Sequence, residues 1–152
     1  MKKAIVILAA MAILFVSGTA AVAADTANVA VNATVVGACK FNSGGTIDFT
    51  LDPSIGGDVN GAVTQPQFWC TKNASYTITD DNGQNEVGTT HRMKHASLSE
   101  FIEYTFTYTA TGTGAGKNSP ITMNIASTVA EAQYANASAG SYSDTVVLTI
   151  SP

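Results

Sequence analysis

From Ala27 to Val35 every odd position is small and apolar (Ala27, Val29, Val31, Ala33, Val35), with Asn28, Asn32 and Thr34 falling between them. A period of two residues sends successive side chains to opposite faces, so this spacing predicts a strand with one buried face. Thr46 to Leu51 repeats the pattern, with Ile47, Phe49 and Leu51 on one side. Ser75 to Thr79 predicts a further strand and runs into Asp80-Asp81-Asn82-Gly83, a hairpin-turn signal. Tyr104, Phe106 and Tyr108 alternate with threonines up to Thr109, and Ile121, Met123 and Ile125 alternate likewise. In the last predicted strand Tyr142, Val146, Leu148 and Ile150 share one face, and Ser143, Thr145 and Thr149 share the other. Helical periodicity shows only weakly, around Met93 to Ile102. Short runs rich in Thr, Val, Tyr and Phe, separated by Gly, Asn, Asp and Ser, describe an all-β chain. Six or more such strands with one cysteine pair predict a single antiparallel β-sandwich of immunoglobulin-like kind.

Met1-Lys2-Lys3 followed by the apolar run Ala4 to Val16 has the charged start and greasy middle of a secretory signal peptide. Ala21-Val22-Ala23 supplies a small-x-small cleavage site, and Ser17, Gly18 and Thr19 interrupt the run before it could span a bilayer. Residues 1–23 are therefore expected to be removed and residues 24–152 exported, with no embedded membrane segment. With 45% hydrophobic and 12% charged residues, the chain is too apolar for a disordered acidic one. A net charge of −4 equally excludes a polybasic nucleic-acid binder. Cys39 and Cys70 have no cysteine neighbours for a redox or zinc motif, and in an oxidising compartment such a pair forms a disulfide. The bridge would close a loop of 31 residues. The chain-entropy account values that at about 3.5–4 kcal/mol.

Motifs for catalysis are weak. Gly112-Thr-Gly-Ala-Gly-Lys-Asn118 faintly resembles a phosphate-binding loop, but Thr111 stands where the first glycine should be and no Ser or Thr follows Lys117. His91 and His95 are four apart, as helical metal ligands require, yet Arg92 occupies the place of a zincin glutamate; solvated loop histidines are expected instead. Asp80, Asn82 and Gln84 resemble a calcium loop with Gly83 misplaced and no closing bidentate acid, so a hairpin turn is the better reading. Glu100 and Glu103 could pair as carboxylates, without other signs of a cleft. No G-x-S-x-G elbow occurs. Asn32, Asn73 and Asn136 head glycosylation triplets that matter only in a host able to use them. No enzyme activity, cofactor or metal is expected.

The order of four landmarks carries more. These are the alternating stretch Asn28 to Cys39, then Cys70, then Arg92-Met93 ahead of Tyr104-Thr-Phe-Thr-Tyr108, and the ending Gly140-Ser-Tyr-Ser-Asp-Thr-Val-Val-Leu-Thr-Ile-Ser-Pro152. With them the chain resembles the spore coat protein U domain family, including the Csu-type subunits of archaic chaperone–usher pili. The resemblance implies an incomplete sandwich, lacking one strand, whose groove a neighbouring subunit fills with its N-terminal segment. It implies as partners copies of the same or related subunits, a periplasmic chaperone and an outer-membrane usher. The expected destination is the cell surface or an extracellular fibre serving adhesion or biofilm formation. On this reading residues 25–36 are the donor strand, with Val29, Val31, Ala33 and Val35 entering the groove, and Val146, Leu148 and Ile150 form the groove edge. Donor and acceptor are different surfaces, so contacts would run head-to-tail into an open fibre. The alternation of residues 27–35 is the same for a strand paired within its own sheet. A self-contained secreted coat or extracellular binding domain that does not polymerise is therefore the alternative.

Overall fold

Thirteen short strands and one helical turn make up the regular structure of residues 24–152, the part described by the computed structural model. The expected signal peptide lies outside the described residues. In chain order the strands are β1 (Cys39–Ser43), β2 (Thr46–Asp48), β3 (Val59–Asn60), β4 (Ala62–Thr64), β5 (Gln67–Cys70), β6 (Ser75–Asp80) and β7 (His91–His95). They continue as β8 (Phe101–Thr107), β9 (Thr111–Thr113), β10 (Ile121–Thr122), β11 (Ala126–Val129), β12 (Tyr142–Ser143) and β13 (Leu148–Ser151), with α1 (Glu131–Tyr134) after β11. Every ladder among the described residues is antiparallel. The fold is all-β, built from antiparallel sheets.

Four sheets form, ordered β1-β5-β10, β12-β7-β8-β11-β3, β13-β6-β9 and β2-β4. Strand β5 turns Phe68 and Cys70 inward and β6 turns Tyr76 and Ile78 toward them, with the Phe68 and Tyr76 rings 5.0 Å apart, edge to face. Met123 and Ile125 complete this buried cluster. A second cluster joins Ile102 of β8, Val129 of β11 and Tyr134 of α1. Cys39 and Cys70 face one another across the β1–β5 ladder and are bridged, with an S–S distance of 2.03 Å. The bond fastens the first strand of the domain to the interior of the first sheet.

Several expectations change in three dimensions. The segment 27–35 is not a strand; residues 24–38 carry no regular structure and all are exposed. An isolated strand has no ladder to satisfy its backbone, and among the described residues none pairs with this one. Met93 to Ile102 is not helical but a β7–β8 hairpin, because Met93 and Ile102 oppose one another as inward residues of neighbouring strands. His91 and His95 are not solvated loop residues. Both lie buried on the inner face of β7, where a spacing of four returns a strand to the same side. The Asp80–Gly83 turn does form, with Asn82 at φ 60° and Gly83 at φ 89°. It makes no hairpin, since β6 pairs with β13 and β9 whereas β7 pairs with β8 and β12.

The predicted last strand keeps its alternation from Tyr142 to Ile150, every even residue half-buried and every odd one exposed. Its ladder breaks in the middle. Strand β12 pairs with β7 in one sheet, β13 pairs with β6 in another, and residues 144–147 cross between them.

Candidate functional site: an open apolar groove

The crossing segment forms one wall of a groove of about 890 Å³. Val146 and Leu148 line this wall, and Tyr142 stands at its start. The opposite wall is built from residues 41–49, with Phe41, Ile47 and Phe49 turned inward. Between the walls lie Met93, Tyr104, Phe106 and Ile125. Of these ten residues only Ile125 is fully buried; the other nine are half-exposed. A closed sandwich would bury such side chains, and leaving several large apolar groups half in water sacrifices roughly 25 cal/mol for each Å² of apolar surface left wet. The core is open along one side.

Both walls are sheet edges. Among the described residues β1 pairs only with β5, β2 only with β4, β12 only with β7 and β13 only with β6, so each has one unpaired side there. Such a row of free N–H and C=O groups is a template for another strand. The walls run antiparallel, since Phe41 stands toward the Leu148 end and Phe49 toward Tyr142. A second cavity of about 550 Å³ shares Phe49, Met93 and Tyr142 with the groove and extends it past Leu51 and Pro53 to Tyr134.

The crossing segment is held from behind by side chains and one backbone bond, from Gln84 N to Thr145 O at 3.2 Å, and not by a ladder. The Tyr104 hydroxyl donates to Asp144 Oδ2 at 2.7 Å. Asp144 Oδ1 accepts from the backbone N–H groups of Gln84 at 3.0 Å and Asn85 at 3.3 Å, and from Asn85 Nδ2 at 3.1 Å. Asp81 Oδ1 accepts from Val147 N at 2.9 Å and Gly83 N at 3.0 Å. Those bonds from Val147 and Gly83 hold the Asp81 carboxyl below its ordinary pKa. Burial first, and then the bond to Asp144, pushes the Tyr104 phenol up. The closely placed Gly83 leaves room for Asp144, which a Cβ at its positive φ would strike. Arg92 Nε donates to Asn85 O at 2.9 Å and fixes the same loop to β7.

Glu100 accepts from Ser138 N and Oγ and from the Tyr142 hydroxyl, which lower its pKa, and Glu103 stands across the ladder from Arg92. His95 Nδ1 accepts from Ser97 N and Leu98 N, both at 3.0 Å. His91 Nε2 lies 3.6 Å from Asp80 Oδ1, without a hydrogen bond, between the rings of Tyr104 and Phe106. Among the described residues no three His, Cys, Asp or Glu side chains gather as metal ligands.

Of the expected groove-edge residues, Val146 and Leu148 line the groove. Ile150 lies beyond it, opposite Ile78 in the β13–β6 ladder. Val29 and Val31 are 84% and 89% exposed, and Ala33 and Val35 are exposed as well. The facing wall of Phe41, Ile47 and Phe49 was not foreseen as part of a site. The alternation of Ile47 and Phe49 marked an inward face but not that the face is uncovered. The latch on Asp144 had one sequence signal, a carboxylate at an inward position of an apolar alternation.

The sequence model of the Spore Coat Protein U domain matches residues 25–149. The chain belongs to the Spore Coat Protein U domain family. The family is one of structural, non-enzymatic proteins. Among solved structures, the CsuC–CsuE chaperone–tip adhesion subunit pre-assembly complex from the archaic chaperone-usher Csu pili of Acinetobacter baumannii is similar at 18% identity, with a TM-score of 0.46. That match covers 77% of this chain and 40% of the other, so this Spore Coat Protein U domain spans less than half the length of its counterpart. No curated protein matches. No helix among the described residues is long and apolar enough to cross a membrane.

Proposed function

We propose that this Spore Coat Protein U domain is an exported structural subunit that polymerises by strand donation. Residues 25–36 of one copy fill the groove of the next, and the product is a surface fibre serving adhesion or biofilm formation. The observation that carries the reading is the groove itself: two unpaired edges, antiparallel to one another, over a floor of half-buried core residues. A strand laid between them would satisfy both edges and cover Ile47, Phe49, Val146 and Leu148. Val29, Val31, Ala33 and Val35 supply an apolar face at the required period of two, on a segment that pairs with no strand among the described residues. Donor and acceptor surfaces differ, so successive insertions extend without closing. An edge this open needs cover before assembly. A periplasmic chaperone would provide it and an outer-membrane usher would exchange it, which fits removal of residues 1–23 on export.

The test compares the oxidised mature chain with its Val31→Arg variant. The wild type is expected to form a ladder of head-to-tail multimers and the variant to stay monomeric. A synthetic peptide of residues 25–36 should raise the melting temperature of the variant. A variant that multimerises like the wild type would remove residues 25–36 from the donor role.

A further inference from the structure

Of the seven Lys and Arg residues, Lys2 and Lys3 precede residue 24; five follow, against eleven carboxylates. Three of these five gather at one end of the domain. Lys40 stands directly across the β1–β5 ladder from Trp69, Lys117 Nζ lies 5.8 Å from the Trp69 ring centroid, and the Lys72 Cβ borders Gly116. All three lysines are exposed. Stretches 36–43, 69–79 and 109–124 build this end and contain no Asp or Glu. Arg92 and Lys94 lie elsewhere, opposite Glu103 and Phe101 in the β7–β8 ladder.

The other end has the reverse charge. The path of the last strand runs from Tyr142 there to Pro152 at the lysine end, where Gly37 and Ala74 meet. Glu131 N donates to Asp58 Oδ1 at 3.0 Å, and the Glu131 carboxylate borders Gly56, whose N–H bonds Asp52 O. Asp52, Asp58 and Glu131 are exposed. All three raise the pKa of the Tyr134 phenol by their charge, after burial, so their fields converge on one place. The second cavity opens there, carrying the groove past Pro53 and Tyr134.

Chain connectivity links the two ends. Only Gly37 and Ala38 separate Val36 from Cys39, and Thr71 ties them down: Ala38 N donates to Thr71 Oγ1 at 3.0 Å, and Thr71 Oγ1 donates to Val36 O at 3.3 Å. A donor segment ending at Val36 therefore emerges from its host with its own lysine end immediately behind it. Emergence at the Tyr142 end sets lysines against carboxylates. Emergence at the Phe41 end sets them toward the host's own lysines, a like-charge approach that disfavours that arrangement.

We propose that the Lys40–Lys72–Lys117 end of one copy docks on the Asp52–Asp58–Glu131 end of the next, forming a polar junction around the inserted strand. The inference rests on the strand-donor reading and adds the partner surface. Rim charges of this kind act chiefly on the rate of encounter and on its salt dependence.

The test uses excess Val31→Arg chain as acceptor and trace labelled wild-type or Lys72→Glu/Lys117→Glu chain as donor. At low ionic strength the charge-reversed donor should associate about tenfold more slowly, with a flatter salt dependence. An acceptor also carrying Glu131→Lys should recover that donor and slow the wild-type one. The isolated peptide of residues 25–36, which has no lysine end, should bind both acceptors alike. If the peptide binds but the reversed donor keeps the wild-type rate and salt slope, the junction is overturned and the groove reading stands. Failure of the Glu131→Lys acceptor to recover the donor overturns the assignment of the acidic end. Failure of the peptide to bind overturns the groove reading and the junction with it.

Discussion

Tyr104 on β8 donates its phenolic proton to Asp144 at 2.7 Å and so fixes the segment that crosses from one sheet to another. The bond joins a strand of the five-stranded sheet to a stretch with no ladder of its own. Asp144 spends its other oxygen on Gln84 and Asn85. This leaves the groove-facing side of residues 144–147 uncovered.

Removing the latch should loosen that wall. Tyr104→Phe deletes one charge-assisted bond and should cost about 1–3 kcal/mol. Asp144→Ala strands the Tyr104 hydroxyl and Asn85 N, leaves Gln84 N and Asn85 Nδ2 with only Thr145 O and Ser143 O, and should cost more. Gly83→Ala should fall in the same direction, since its added Cβ strikes Asp144 and its φ of 89° suits glycine. Urea denaturation of the Val31→Arg chain measures all three. A Tyr104→Phe midpoint equal to the parent's would remove the latch as a determinant of the wall.

The disulfide should matter more than any single hydrogen bond. Cys39 opens the ordered domain and Cys70 is fully buried, so the bridge closes a 31-residue loop around β2 to β4. Replacing both residues with serine should lower stability by about 3.5–4 kcal/mol on the chain-entropy account, with a further loss from burying a hydroxyl at position 70. Thermal melts of oxidised, reduced and doubly substituted chain provide the comparison. Near-identical melting temperatures would contradict it.

Side-chain parity supplies a sharper test of the groove. Val146 and Val147 both border it, but Val146 is half-buried in the inward parity while the side chain of Val147 is 53% exposed in the outward one. Val146→Arg should abolish the melting-temperature rise produced by the peptide of residues 25–36, and Val147→Arg should leave it intact. Equal loss in both would mean that the peptide does not enter between the walls.

The fold was legible where a side chain's partner lies in its own strand's alternation. Tyr76, Ile78, Phe106, Met123 and Ile125 point inward as their parity dictates. The Asp80–Gly83 turn was legible as a turn but not as a sheet-to-sheet crossing, because turn chemistry reports local φ and says nothing of the next pairing. Met93 to Ile102 misled because a period read along the chain does not register the hairpin reversal that places Met93 opposite Ile102. The groove was half legible. Val146 and Leu148 announced an inward face, yet whether such a face is covered depends on a strand's absence, which no local pattern records. The stretch 27–35 shows the converse, a full strand pattern without a strand, because alternation describes a side chain's preference and not the presence of a partner.

Buried and half-buried tyrosines, Tyr104, Tyr108, Tyr134 and Tyr142, set the alkaline limit of stability. Burial, aided by Asp80, pushes the Tyr108 phenol up to about 12, and Tyr104 is pushed up as well, by burial and Asp144. Unfolded phenols titrate near 10. Below about pH 10 both states hold the proton and the stabilisation is fully present. As pH rises through 10 toward 12 the unfolded chain releases protons that the folded chain keeps, so stability falls. Asp81 has the opposite sign: its lowered pKa contributes above the ordinary carboxylate range and is lost as pH falls through it. Urea midpoints followed from neutral pH upward should therefore decline beyond about pH 10, and Tyr108→Phe should flatten part of that decline while Tyr104, Tyr134 and Tyr142 account for the rest. A Tyr108→Phe profile that overlays the parent's would mean that this phenol titrates alike in both states, and the aromatic strand would then owe nothing to its proton.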